Sequence, residues 1–192
     1  MAALFSRSSN TAYRVALVVL GVVVVAVVIA PMLYIRTPYA SGKGAAIEQP
    51  VEFDHRHHVR DDAIDCVYCH SGAETSAHAG IPPAELCMGC HGQVWLDSPQ
   101  LEPVRRSWET NQPIAWVRVH DLPDYVYFHH GVHVQAGIDC SSCHGRVDQM
   151  ARVMRVSDLT MGWCLSCHRN PPGPTDNGRR ITSLTTCSAC HR

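Results

Sequence analysis

The sequence carries no excess of charge of either sign. Its 192 residues hold 16 lysines and arginines against 17 aspartates and glutamates, a net charge of −1 with histidine neutral. That balance excludes the basic footprint of a nucleic-acid binder. No cysteine is left over either, since all ten fall in pairs with two residues between them. Disulfides within such pairs would be strained and would staple almost nothing. Nor is there length to spare: 192 residues make one domain or a small pair. The surplus lies in ten cysteines, thirteen histidines and one run that is almost pure valine.

The pairs are Cys66/Cys69, Cys87/Cys90, Cys140/Cys143, Cys164/Cys167 and Cys187/Cys190, and each is followed at once by histidine: His70, His91, His144, His168 and His191. Cys-x-x-Cys-His is the attachment motif of c-type haem. Two thiols on one helical turn reach the two vinyl groups on one porphyrin edge, and the adjoining imidazole is placed beneath the iron. Zinc sites assemble four ligands from two pairs and need no histidine beside each one. A thioredoxin-like redox pair would occur once, not five times. The expectation is five covalently bound haem c groups.

From Val15 to Ile35 run 21 residues without charge. At 1.5 Å per residue they span about 30 Å, the thickness of a bilayer's hydrocarbon core. Valine is a poor helix former in water, but in lipid the backbone must satisfy itself, which leaves helix as the form available to one segment. A cleavable signal has an apolar core of about 7–15 residues; this run is longer and reads as a retained anchor, although Ala40–Ser41 resembles a cleavage site. Arg7 and Arg14 before the span balance Arg36 and Lys43 after it, so the positive-inside rule is nearly silent. Thioether attachment belongs to the oxidising side of the membrane. Residues 1–14 are therefore expected in the cytoplasm, 15–35 in the cell membrane, 36–50 as a linker, and 51–192 as a haem domain on the periplasmic face.

Within that domain a phrase is written twice. Phe53-x-His55-x-x-His58-Val59 precedes Ile64-Asp65-Cys66, and Phe128-x-His130-x-x-His133-Val134 precedes Ile138-Asp139-Cys140. The second copy is one residue shorter before its cysteine. Another Cys-x-x-Cys-His follows each copy, which gives two di-haem modules (53–92 and 128–168) and a fifth haem at 187–191. Between them WVRVHDLPDYVYF reads as an extended strand or loop, and PPGPTDNG as a turn-rich link. About 140 residues serve five haems, too few for a protein core around each, so the porphyrins must supply apolar surface themselves. Short helices at the motifs and long irregular connections are the expected fold.

Eight histidines lie outside the attachment motifs. His55, His58, His130 and His133 recur in both copies; spaced i and i+3, each pair projects from one side of a helical turn and can serve two different porphyrins. His120 is the fifth candidate distal ligand. His57, His78 and His129 read as solvated or as partners of haem propionates. Met161, three residues before Cys164, is a weaker candidate, because methionine also fills gaps against porphyrin edges.

These residues resemble known families. FxHxxH before CxxCH is similar to the class III multihaem cytochromes c, a resemblance that implies His55 for the His70 haem and His130 for the His144 haem. AGIPPAELCMGCHGQVW, WVRVHDLPDYVYFHHGVHV and LTMGWCLSCHR resemble the pentahaem cytochrome c subunit of alternative complex III. That resemblance implies an electron-transfer subunit of a quinol-oxidising membrane complex. Its partners would be an iron–sulfur subunit, quinol-binding multi-span membrane subunits and a mono-haem cytochrome c subunit, with a soluble acceptor such as a mono-haem cytochrome c or copper protein. The chain itself would do no bond chemistry.

Two other classes compete. A multihaem reductase needs an open iron with acid–base groups beside it, and no CxxCK site occurs here. A stand-alone membrane-anchored quinol dehydrogenase shares the anchor and the motifs. Haem propionates would add about ten negative charges able to steer basic partners. The six arginines from Ala151 onward, against two aspartates, read more simply as neutralising propionates nearby.

Overall fold

The computed structural model describes residues 8–171 and 183–191; most of the PPGPTDNG link lies outside them. The chain divides into two compact units, Met1–Gly42 and Lys43–Arg192.

The first unit is dominated by α1, Ser9–Tyr34, whose 26 residues bury no side chain. It is long and apolar enough to cross a membrane, about 39 Å at 1.5 Å per residue, and fits a membrane anchor or a signal segment. It begins six residues before the uncharged run, because nothing between Ser9 and Arg14 breaks a helix. Pro31 lies in its last turn, and the Ile35 amide still reaches the Pro31 carbonyl at 3.0 Å. Thr37 caps the short α2, Pro38–Ser41, by accepting from the Ala40 amide, and Gly42 closes it at φ 68°.

In the second unit the described residues contain no β-strand. Short helices punctuate irregular chain: α3 (Cys66–Cys69), α4 (Ala84–His91), α5 (Glu102–Thr110), α6 (His130–Gln135), α7 (Ser141–His144), α8 (Met161–Arg169) and α9 (Cys187–Cys190). Every attachment motif sits on one of α3, α4, α7, α8 and α9. Residues 43–50, expected as linker, are pinned. Gly44 donates to the Arg155 carbonyl at 2.7 Å, Lys43 meets Asp158 at 2.6 Å, and Ala46 forms an isolated antiparallel bridge with Met154. The Gln49 amide donates to the Val117 carbonyl and accepts from its N–H, both at 2.9 Å. A side chain thus takes the place of a neighbouring strand, and WVRVHDLPDYVYF stays irregular.

The expected segment without motifs also holds a helix, α5. Its sequence, EPVRRSWET, holds only two large apolar residues; Val104 is buried on α4 while Trp108 stays exposed. Pro103 and Glu102 suit its first turn, and Asn111 ends it in the left-handed region at φ 52°. Around Val51, Ala84 and Val104 gather Met88, Leu101, Ile114 and Trp116. Among the described residues only these three and Met150 are buried apolar side chains. A unit of this size normally buries some two-thirds of its unfolded surface, so side chains alone do not complete its core.

The two copies of the repeat differ in girth. The second copy's turn is the α-helix α6; the first copy's is a π-helical turn, Arg56–Asp61. The Ile64 amide reaches the His58 carbonyl at 3.0 Å and the Ile138 amide reaches His133 at 3.1 Å. The same closure spans six residues in one copy and five in the other. The extra residue is absorbed by widening the turn, a device common at functional sites.

Candidate haem-binding site

Three of the five attachment motifs begin on a side-chain cap. Asp65 accepts from the Val67 amide at 2.9 Å and Asp139 from the Ser141 amide at 2.8 Å, the N-terminal capping for which aspartate is favoured. The Ser141 hydroxyl and amide hold the Asp139 carboxyl below its usual range. Thr160 does the same service for α8 through the Trp163 amide at 3.3 Å. None of the ten cysteines is in a disulfide.

The doubled turns present their histidines in matching poses. Phe53 meets His55 edge-on at 4.7 Å and stacks on His58 at 4.3 Å; Phe128 meets His130 edge-on at 4.7 Å and stacks on His133 at 4.5 Å. The phenylalanine that opens each phrase is thus the wedge that sets both imidazoles.

Three of those four imidazoles face motif histidines. Ring centres lie 6.0 Å apart for His58 and His91, 6.3 Å for His130 and His144, and 6.1 Å for His133 and His168. Two imidazoles holding one metal from opposite sides, each nitrogen about 2 Å from it, have ring centres about 6 Å apart. Seven of these histidines also bind Nδ1 to a backbone carbonyl. His70 reaches Gly80 (2.7 Å), His91 reaches Val94 (3.1 Å), His168 reaches Leu184 (3.0 Å) and His191 reaches Tyr125 (3.1 Å). His58 reaches Asp54 (3.0 Å), His130 reaches Ala77 (2.9 Å) and His133 reaches His129 (2.9 Å). A carbonyl can only accept, so Nδ1 carries the proton and Nε2 keeps the lone pair, the tautomer a metal ligand requires. Burial first, then the charges of His70 and His58, pull His55 down to about 4. Burial first, then His120, His130 and His70, pull His144 down to about 4. Both imidazoles are thus neutral and free to donate a lone pair.

His120 is placed differently. Its ring meets that of His144 edge-on at 4.3 Å, not at the spacing of the facing pairs. Its Nε2 is buried without a partner among the described residues, as is Nε of Arg155, whose charge helps lower His120 after burial does. A histidine and an arginine with unmatched nitrogens beside His144 suit a carboxylate-bearing group. The ring that meets His191 is Tyr125, at 5.9 Å and 29°. Met161 is exposed, the first residue of α8. His129 caps α6 by accepting from the Val132 amide (3.3 Å), and His57 stacks on Trp95 at 6.1 Å; neither role shows in motif spacing.

The thiols of different motifs influence one another's ionisation. Burial lifts Cys66, Cys69, Cys87, Cys143 and Cys164 above the ordinary thiol value. The next contribution in each case comes from another motif: Cys140 for Cys66, Cys90 for Cys69, Cys69 for Cys87, Cys167 for Cys143 and Cys190 for Cys164. Paired thiols, each pair with an imidazole and three of those facing a second imidazole, fit covalently held haem.

The family model for cytochrome c7 and related cytochrome c matches residues 126–192. A curated relative, the multihaem cytochrome c subunit of menaquinone reductase from Nitratidesulfovibrio vulgaris, is 34% identical over 167 residues, 76% of this chain and 77% of the relative. The chain belongs to the multihaem cytochromes c. Its function is electron transfer by covalently bound haem c. In this multihaem cytochrome the family match begins just before Phe128, so it takes in the second copy of the repeat and the last three attachment motifs.

Proposed function

We propose that the chain binds five haem c groups, one at each Cys-x-x-Cys-His, and relays single electrons as a subunit of a quinol-oxidising membrane complex of the alternative complex III type. The observation that supports the reading is the three facing imidazole pairs at about 6 Å, because an iron held on both faces at those three motifs would offer no place for a substrate. His70, His91, His144, His168 and His191 would each hold the iron of their own haem, and His55, His58, His130 and His133 would supply the further donors. When bound, haem supplies reversible one-electron chemistry. The chain's residues attach it, fix its axial donors and set its surroundings. His120, whose ring meets that of His144, and Arg155 would supply buried nitrogens that suit a propionate.

The apolar α1 would hold the chain in the cell membrane with residues 43–192 on the periplasmic side. Electrons would come from multi-span quinol-binding subunits by way of an iron–sulfur subunit and leave to a mono-haem cytochrome c or a copper protein. The relative's name supports a second direction, in which the chain delivers electrons toward menaquinone.

The test begins with pyridine haemochrome analysis of the full-length holoprotein, expected to return five haems per chain. Menaquinol should then reduce those haems in the complex isolated from membranes, and not in the lone chain. Fewer than five haems, or menaquinol turnover by the chain alone, overturns the proposal. Rapid haem oxidation by menaquinone, with no reduction by menaquinol, selects the opposite direction.

A further inference from the structure

Along the sequence the attachment motifs run first to fifth, from Cys66–His70 to Cys187–His191. We infer that in space they stand in single file in the order second, first, third, fourth, fifth, so that the file ends at His91 and at His191. The inference rests on the haem-carrying function proposed above.

The first and second motifs are joined by one turn. His58, three residues after His55, faces His91 of the second motif, while the same turn runs straight into the first motif, the Ile64 amide reaching the His58 carbonyl at 3.0 Å just before the Asp65 cap. The third and fourth are joined the same way: His130 faces His144, and His133 on the same turn faces His168.

The junction between modules uses the first motif, not the second. The loop leaving His70 runs against α6: the Gly131 amide donates to Ser76 (3.0 Å), His130 Nδ1 donates to Ala77 (2.9 Å), and Gln135 donates to Glu74 (2.9 Å). A side chain at Gly131 would run into the Glu74 carbonyl at 2.8 Å, so the approach is close because the residue is glycine.

The fifth motif joins at the fourth. His168 Nδ1 donates to Leu184, three residues before Cys187, at 3.0 Å. The Tyr127 amide donates to Cys190 at 2.8 Å and His191 donates to Tyr125 at 3.1 Å, which hold this end against the strap leading into Phe128. The second motif, by contrast, lies against α5. Duplication accounts for the swap: each copy pairs its own two motifs, and the copies meet through the first motif of each.

The test compares two variants of the detergent-solubilised full-length holoprotein. Methionine in place of a distal histidine raises the potential of the haem it ligates, and charge on that haem is felt most by its immediate neighbours. In redox titrations resolved haem by haem, His58→Met is expected to shift its own haem and one neighbour. His133→Met is expected to shift its own and two. An experimental structure of the haem-loaded complex should show nearest-neighbour irons in the same order. Two shifted neighbours for His58→Met, or an iron order with the second motif inside the file, overturns the inference while five haems and conduction stand. A haem count below five overturns the function and the inference together.

Discussion

The ring of His130 lies parallel to that of His144, 8° apart in plane with 6.3 Å between centres. One ring belongs to an attachment motif and the other to a turn that also carries His133 for the next motif. His130 is further held by its Nδ1 bond to Ala77, so it cannot swing away without giving up a hydrogen bond.

His130→Ala should therefore open one iron and no other. Carbon monoxide titration of the reduced holoprotein is expected to show one more CO per chain than the parent protein, with a shifted Soret band. No change in CO binding would show that His130 is not a ligand.

Gly131→Ala tests the junction between modules. Its new Cβ would sit 2.8 Å from the Glu74 carbonyl oxygen, and relief by backbone shift should cost about 1–3 kcal/mol. Thermal unfolding of the holoprotein followed at the Soret band should show a lower midpoint with unchanged haem content. An unaltered midpoint would mean that the two backbones do not approach this closely.

Ala63 and Gly137 occupy equivalent places in the two copies, and both are left-handed, at φ 55° and 79°. Alanine there is strained by roughly 1–2 kcal/mol, glycine is not. Ala63→Gly should raise the unfolding midpoint slightly and Gly137→Ala should lower it. Shifts of the same sign for both would refute the shared conformation.

Haem attachment should decide folding of the second unit. With so few buried side chains, expression without the attachment machinery is expected to yield residues 43–192 in a disordered state by far-ultraviolet circular dichroism. A cooperative thermal transition in the haem-free chain would contradict this.

Much of the architecture is legible in the sequence because the motifs are covalent chemistry with fixed spacing. Short helices at each Cys-x-x-Cys-His and the doubled Phe-x-His-x-x-His turn follow directly from the letters. What escapes depends on partners distant in the chain. Gln49 reads as linker until Val117 meets it, and α5 hides because only Val104 of its residues is buried. His120 looks like any spare imidazole; only folding sets it beside His144. The capping roles of Asp65 and Asp139 lie in plain view in the Ile-Asp-Cys phrase, and helix-capping preference would have found them.

The widened turn at Arg56–Asp61 has an evolutionary reach. A loop insertion ordinarily pushes everything downstream out of alignment. Here the added amino acid swells the coil sideways, and Phe53 still grips its two imidazoles as Phe128 does, within 0.2 Å. Gene copies can therefore drift in length at this point while the conductor they build keeps its gauge.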